Sequence, residues 1–571
     1  METRIAVAAD EAVSRRIETI LDTHDTRTVH AASPIAIGAI GGVLAVQGVR
    51  VDWRDAERTL DTAVGLRIEA ALGSLALSLS ADRALAVEFM LDDCAVPRRA
   101  VLRGVDGQDA APDPRVLARC VLSLGVPEVT LPVPKVRFWI NDPALDEDSV
   151  SPYRGIARRA LSTLSPVWLD TLRQRRTDRL NARLLRHLAQ HHARGQAAAM
   201  IGPRPLGRDR RPGASTLMIG LRWLDYGGAE AFAIATMEAA ARAGYEVIVV
   251  CDTMGRHQLL PQARRWAKIV YLLDELAELC GPSEMLWRAL HWHQPDVLHI
   301  QHSALAYDAL PRIRADGMAT RVIDTNHLLE HRTGGYVVPA LRQSRHIDLH
   351  HVISDDLRRF FVEQGGVPAD RVRLGKLYDL SRHLVARPGK WGRVLPLRVA
   401  FVGRFMQQKR PFLFIEIAAR LLRRHGRESF QFTALGSGEL RPLCEGLAAK
   451  KGLDEAVLRF LPGSADVAAV LADAHLLLVP SDNEGLALVA FEAIRADCLV
   501  ISCDVGGQGE IVLPELLVPR NPRLCIARMI DTVERVRSGA LPAASLLEAQ
   551  RTILRETKRG PTGLDACGYA G

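Results

Sequence analysis

The chain has 571 residues, 48% hydrophobic and 25% charged, with a formal net charge of +8. That apolar fraction excludes a disordered or collagen-like chain, and at roughly 150 residues per domain the length predicts three or four domains, each with a full core. Nine cysteines (Cys94, Cys120, Cys251, Cys280, Cys444, Cys498, Cys503, Cys525 and Cys567) are scattered without a CxxC pair, which argues against a disulfide framework or a zinc ribbon and for a reducing compartment. No basic region leads into an apolar stretch at the N-terminus. The longest uncharged run, between Arg27 and Arg50, contains Pro34 and four glycines and suits short buried strands better than a spanning helix. A cytoplasmic protein is expected, either free or peripheral on the inner face of the plasma membrane. Eight lysines stand against sixty-six arginines, a skew that reflects genomic base composition more than phosphate binding. A lysine at a motif position is therefore more informative than any one arginine.

Residues 1–150 are expected to form a β-rich accessory domain. Gly48–Trp53, Leu75–Leu79 and Val126–Leu131 are short, partly alternating segments separated by Gly, Pro and Asp, which predicts a β-sandwich or similar small β domain. It is either a carbohydrate- or partner-binding module or a packing appendage.

Residues 151–212 read as a basic helical linker. Arg154 to Arg211 holds 14 arginines against Asp170, Asp178 and Asp209, a net +11 that leaves −3 for the rest of the chain. A generally basic nucleic-acid binder is thereby excluded, and no nucleic-acid partner is expected. Within this stretch Leu172, Leu180, Leu184, Leu185 and Leu188 recur mostly at helical spacing among arginines, predicting a helix over 171–194. One reading lays it on an anionic membrane surface; the other makes it a connector, solvated or docked on an acidic domain face. Pro203, Pro205, Gly207, Pro212 and Gly213 then mark a break.

Strand–helix alternation begins with Thr216–Gly220 and Gly228–Ala243 and continues through Val247–Cys251, Val297–Ile300, Arg321–Asp324 and His351–Ser354. It restarts at Leu397–Val402, with Phe430–Leu435, Leu476–Val479 and Leu499–Ser502. The apolar runs are continuous, as in parallel strands covered on both faces. They predict two α/β domains, 213–394 and 395–535, followed by a C-terminal helix and tail over 536–571. Ligands of such sheets sit beyond the carboxyl ends of strands, in a cleft between the domains.

Four segments of the second domain have chemistry to offer. Gly403 and Arg404 follow a strand, with Lys409 five residues on, and two cations there can neutralise a diphosphate leaving group. Gly436-Ser-Gly-Glu439 is a second turn. Pro480-Ser-Asp-Asn-Glu-Gly485 leads into a helix containing Glu492, so that Gly485 admits close backbone approach and the amides of the first helical turn can hold phosphate or sugar oxygens. Two carboxylates, Glu484 and Glu492, suit vicinal hydroxyls. Gly506-Gly-Gln-Gly-Glu510 is a third glycine-rich turn.

Together these segments resemble the donor-binding half of family 4 glycosyltransferases of the GT-B fold. The similarity covers residues ~215–535, and its most diagnostic part is the Glu484/Glu492 pair. The resemblance implies two Rossmann-like domains facing a cleft, with sugar transfer from a nucleotide-sugar, retention of anomeric configuration and no required metal or cofactor. It implies that Arg404 and Lys409 bind the diphosphate and stabilise its departure. Glu484, Gly485, Leu486, Ala487 and Leu488 would contact donor sugar and phosphate, and Glu492 the ribose. Gly403 and Gly436 belong to the same donor-binding turns. In the first domain Gly227 and Gly228 resemble the family's N-terminal glycine loop. A strand-end histidine near the reacting sugar is expected at His302, with His327 and His299 as alternatives. Departures are Asp497 and Leu499, where the family has small Gly and Pro residues, and Leu374–Asp379, where an Asn-Gly turn is usual. The expected acceptor is a glycan or a lipid-linked one, in surface polysaccharide or glycolipid synthesis. Two other readings are a degenerate transferase acting as a sugar- or partner-binding scaffold and a GT-B nucleotide-sugar epimerase.

Overall fold

The computed structural model describes residues 215–276, 281–331, 333–377, 391, 396–557 and 559–569, and before them five strands, a helical stretch within 66–75 and the helix Pro166–His191. The run between Arg27 and Arg50, the strand expected at Val126–Leu131 and the break at 203–213 lie outside the described residues.

The N-terminal strands are β1 (Val51–Trp53), β2 (Ala84–Asp92), β3 (Val101–Arg103), β4 (Val116–Ser123) and β5 (Lys135–Asn141), joined in the order β1-β4-β2-β5-β3. β2 and β5 run parallel and the other pairs antiparallel, so of the two expected forms, a sandwich or a similar small β domain, the described strands form a single mixed sheet and no sandwich is seen among them. Leu75 is helical, not in a strand: Ala70, Ala71, Ser74 and Leu75 are buried at helical rather than alternating spacing. This stretch docks on the next sheet. Arg67 forms a buried ion pair with Glu275 at 2.5 Å, and Ser74 Oγ accepts a hydrogen bond from Leu272 N at 2.8 Å.

The second sheet contains β6 (Thr216–Leu221), β7 (Glu246–Cys251), β8 (Ala267–Leu272), β9 (Val297–Gln301), β10 (Arg321–Asn326), β11 (Leu349–Val352) and β12 (Val372–Leu374). The third contains β13 (Leu397–Val402), β14 (Phe430–Leu435), β15 (Leu458–Leu461), β16 (Leu476–Val479), β17 (Leu499–Cys503) and β18 (Leu517–Val518). All pairings in both sheets are parallel. Their orders are β12-β11-β10-β9-β6-β7-β8 and β15-β14-β13-β16-β17-β18. In each, the chain starts in the middle, runs out to one side and returns to the other. The resulting switch points, β6/β9 and β13/β16, open a crevice at the strands' carboxyl ends. This is the expected α/β architecture of two Rossmann-like halves.

The helix Pro166–His191 starts one turn before the expected Thr171, since proline is tolerated in a first helical turn. Its first turns lie against the helices Pro411–His425 and Pro522–Arg537, burying Pro166, Asp170 and Thr171, while Leu172 is 41% exposed. The described part of this helix is thus docked on the third sheet's layer.

After the helix Ala543–Thr557, whose Gln550 bonds both the N–H and the carbonyl of Val500 in β17, the chain returns to the second sheet. There Gly563 N donates to the Lys376 carbonyl at 3.1 Å, and Tyr569 stacks on His299. No helix among the described residues is long and apolar enough to cross a membrane.

Candidate active site

The predicted donor residues meet at the β13/β16 switch point. Gly403 and Gly436 nest backbone to backbone: a Cβ on Gly436, whose φ is +147°, would sit 2.0 Å from the Gly403 carbonyl oxygen. Only glycine fits there. Lys409 Nζ lies 2.5 Å from Glu484 Oε1, with Glu484 only 5% exposed. Each of the two residues thereby neutralises the other, and the lysine stays accessible enough to meet an incoming anion. Leu486 and Ala487 are buried, Leu488 opens the helix Leu488–Arg495, and Glu492 is half-buried on that helix with a partner of its own.

Gly485 does something the sequence did not suggest. A Cβ on it would fall 1.8 Å from the His327 carbonyl oxygen and 3.0 Å from Ile353 Cδ1, so its bare backbone admits the other half of the protein. Glu510 also reaches across: Oε1 accepts from Asp355 N at 2.8 Å and Oε2 lies 2.7 Å from Lys376 Nζ. Asn483 Nδ2 donates to the Leu329 carbonyl at 3.1 Å. The two crevices therefore face each other along a built contact.

On the opposite wall, the turn after β6 brings Gly227 and Gly228 to the start of the helix Gly228–Arg242. A Cβ on Gly228 would lie 3.5 Å from Leu488 Cδ1, which places this turn against the helix Leu488–Arg495. Glu230 folds back over Gly227 and accepts from Trp223 Nε1 at 3.1 Å. Burial pushes its carboxyl above the ordinary value, against the pull of its own N–H, Arg404 and Trp223. Arg404 is half-buried and its charge also acts on Glu439, whose carboxyl burial raises. Glu230 was not anticipated as a site residue, although an acid in the first turn after a double glycine was a usable signal.

The three histidines separate. His299 is fully buried within β9, with Nε2 2.8 Å from Thr325 Oγ1, and belongs to the core. His302, just past the strand, has φ +66° and stacks on Tyr336 at 4.6 Å with an interplanar angle of 8°. A left-handed non-glycine residue is held only where its surroundings over-determine it. His327 meets the His302 ring edge-on at 4.9 Å, and its buried Nε2 has no hydrogen-bond partner among the described residues. Burial, with Arg222 adding to it, pushes His302 down to about 4, so its ring is neutral at physiological pH and can accept or donate one hydrogen bond. Burial likewise holds His327 well below the ordinary range. Among the described residues there is no cluster of three or more His, Cys, Asp or Glu that could hold a metal ion.

Two parallel-sheet halves with opposed switch-point crevices, one lined by paired cationic and acidic groups, define a two-domain α/β protein of the GT-B class. Residues 396–535 match the family described as Glycosyl transferases group 1, and residues 226–374 match Glycosyltransferase Family 4. The chain resembles the GT-B glycosyltransferases across both halves. It is 36% identical over 160 residues to the D-inositol 3-phosphate glycosyltransferase of Nocardia farcinica, a match covering 27% of this chain and 34% of that protein. To the Vi polysaccharide biosynthesis protein VipC/TviE of Salmonella typhi it is 36% identical over 109 residues, 19% of this chain and 18% of that one. The chain thus spans about a third or less of the length of these curated relatives. A solved structure similar to it is Anabaena Alr3699/HepE in complex with UDP and glucose, with 14% identity, 62% of this chain and 97% of that chain covered, and a TM-score of 0.47.

Proposed function

We infer that the protein is a retaining glycosyltransferase moving a hexose-type sugar from a nucleotide-sugar to a glycan or lipid-linked acceptor, in surface polysaccharide or glycolipid biosynthesis. The observation that carries the reading is the Lys409–Glu484 pair at the β13/β16 switch point, with Arg404 beside it and His302 on the facing wall. A donor diphosphate takes Lys409 and Arg404 as its counter-charges, and both gain strength as negative charge develops on the departing phosphate. That supplies leaving-group stabilisation from the chain's own cations. Glu484, released from Lys409, then accepts from a sugar hydroxyl, and the amides of Gly485 to Leu488 hold sugar and phosphate oxygens. Glu492 holds the ribose. In the transfer the anomeric C–O bond to the diphosphate breaks, the acceptor oxygen bonds to the same carbon, and its proton leaves with the phosphate. Neutral His302 offers one ring nitrogen to a sugar hydroxyl at the reacting centre.

The curated relatives add support through what their names state, a glycosyltransferase acting on D-inositol 3-phosphate and a protein of Vi polysaccharide biosynthesis. Incubation with a panel of nucleotide-sugars tests the reading. One donor should release its nucleoside diphosphate slowly, Lys409→Ala should slow this about 100-fold or more, and the transferred sugar should keep its anomeric configuration by NMR. Failure to bind any nucleotide-sugar overturns the reading.

A further inference from the structure

We propose that the helix Pro166–His191 is a working part of the donor site, with Asp170 and Arg410 as positioning residues that fix the two loops bearing Lys409 and Glu484. The proposal rests on the glycosyltransferase reading of that site and extends it to a segment outside both matched regions.

Arg410 follows Lys409 directly. Its backbone is left-handed, φ +51°, and its side chain is fully buried. Both features are disfavoured for arginine, so something must hold it. Three elements do. Nε lies 2.7 Å from Asp170 Oδ2 on the helix, Nη2 2.6 Å from Asp482 Oδ1 two residues before Glu484, and Nη1 donates to the Arg520 carbonyl at 2.7 Å.

The lacing continues on both sides. Gln407 Nε2 donates to the other Asp170 oxygen at 2.8 Å. Asp482 N donates to the Gln408 carbonyl at 2.7 Å, and Gln408 Nε2 to the Asn483 carbonyl at 2.8 Å. Arg520 pairs with Asp482 at 2.9 Å and with Asp178 at 2.5 Å. Asp170 thus touches the loop of Lys409 directly and the loop of Glu484 through one guanidinium.

The charge pattern of the helix acquires a reason. Asp170 and Asp178 are two of the three acids among 14 arginines between Arg154 and Arg211, and they stand eight residues apart, on one helical face. Each meets an arginine of the donor half. Without them a strongly cationic helix would lie against two more cations. Removing Asp170 leaves a buried guanidinium short of one counter-charge, and its relaxation has to move Lys409, the adjacent residue.

The test uses the full chain. Binding of UDP, ADP and GDP is measured by calorimetry, donor KM and kcat by turnover, and amide exchange over 404–410 and 480–485 by mass spectrometry. Asp170→Asn should weaken binding of the preferred nucleoside diphosphate about tenfold, raise donor KM more than it lowers kcat, and speed exchange in both loops. Arg410→Lys, which keeps the charge but not the fork, should fall between it and the wild type. Arg176→Ala, on the exposed face of the same helix, should change nothing. If Asp170→Asn does not fold, Gln407→Ala removes the amide contact to Asp170 while leaving the carboxylate in place, and should give a smaller shift in the same direction. Unchanged affinity and unchanged exchange in a folded Asp170→Asn protein overturn the proposal. A wild-type chain that binds no nucleoside diphosphate overturns the glycosyltransferase reading, while loop exchange unaltered by the variant overturns the positioning role on its own.

Discussion

Substituting Gly485 by alanine adds one methyl group where the two halves meet. The backbone there is outside the left-handed region, so alanine is conformationally acceptable and the effect is purely steric. The new carbon would sit 1.8 Å from the His327 carbonyl oxygen, and reaching even 3.0 Å requires a shift of at least about 1.2 Å. The obstacle is backbone, which cannot rotate away as a side chain would. Overpacking of this kind costs roughly 1–3 kcal/mol, and a misplacement of about 1 Å at a reacting centre lowers rates on the order of 100-fold. The expected phenotype is therefore a modest fall in unfolding temperature with a large loss of turnover on the preferred donor. Gly446→Ala is the control, an exposed helical glycine whose added methyl meets nothing within 4 Å; it should leave turnover intact and raise helix stability slightly. If Gly485→Ala retains turnover within about twofold of wild type, the closure described here is not the catalytic arrangement.

Two further expectations concern stability. His351 is fully buried, bonded to Thr325 Oγ1 at 3.0 Å and to the Gly375 carbonyl at 2.9 Å, and burial pushes it down to about 4 from 6.5. Between those values the unfolded chain binds a proton that the folded chain does not, so stability is complete above about pH 6.5 and is lost as pH falls toward 4, by at most about 3 kcal/mol. Denaturant midpoints at pH 7 and 4.5 should converge in His351→Gln relative to wild type, and an unchanged difference refutes the assignment. For the N-terminal dock, burial favours a neutral Glu275, but Arg67 and His257 outweigh it and hold the carboxyl below the ordinary range. Arg67→Met strands that buried charge and should cost roughly 3–5 kcal/mol. Arg67→Met with Glu275→Leu should recover most of the loss, and equal losses in the single and double variants contradict the pairing.

Much of the architecture was legible because parallel strands covered on both faces must be largely apolar, as β16 is throughout and β6 and β13 are but for Thr216 and Arg398. The candidate donor turns were legible for a different reason: Gly436 and Gly485 stand where no side chain fits, and a lysine rare in this chain marks the loop. The identity of what approaches Gly485 was not legible, since a glycine records a close neighbour without saying whether it is ligand or protein. His299 and His302 differ by three residues, and whether a side chain ends inside β9 or beyond it depends on a strand boundary that the sequence does not mark. Arg410 was invisible among sixty-six arginines, its importance set by burial and by partners 72 and 240 positions away, Asp482 and Asp170. The leucines drew attention to the basic helix, while among its described residues Asp170 and Asp178 form ion pairs with Arg410 and Arg520.

Between residues 215 and 569 the described chain passes between the two halves twice, once after Leu377 and again between Thr557 and Thr562, where it returns to seat Tyr569 beside His299. Two bodies pinned at two points lose most of their relative degrees of freedom. Both tethers oppose sliding and separation more than they oppose rotation about the line joining them. That angle is what one pair of spectroscopic labels across the cleft would follow as a nucleotide-sugar is added.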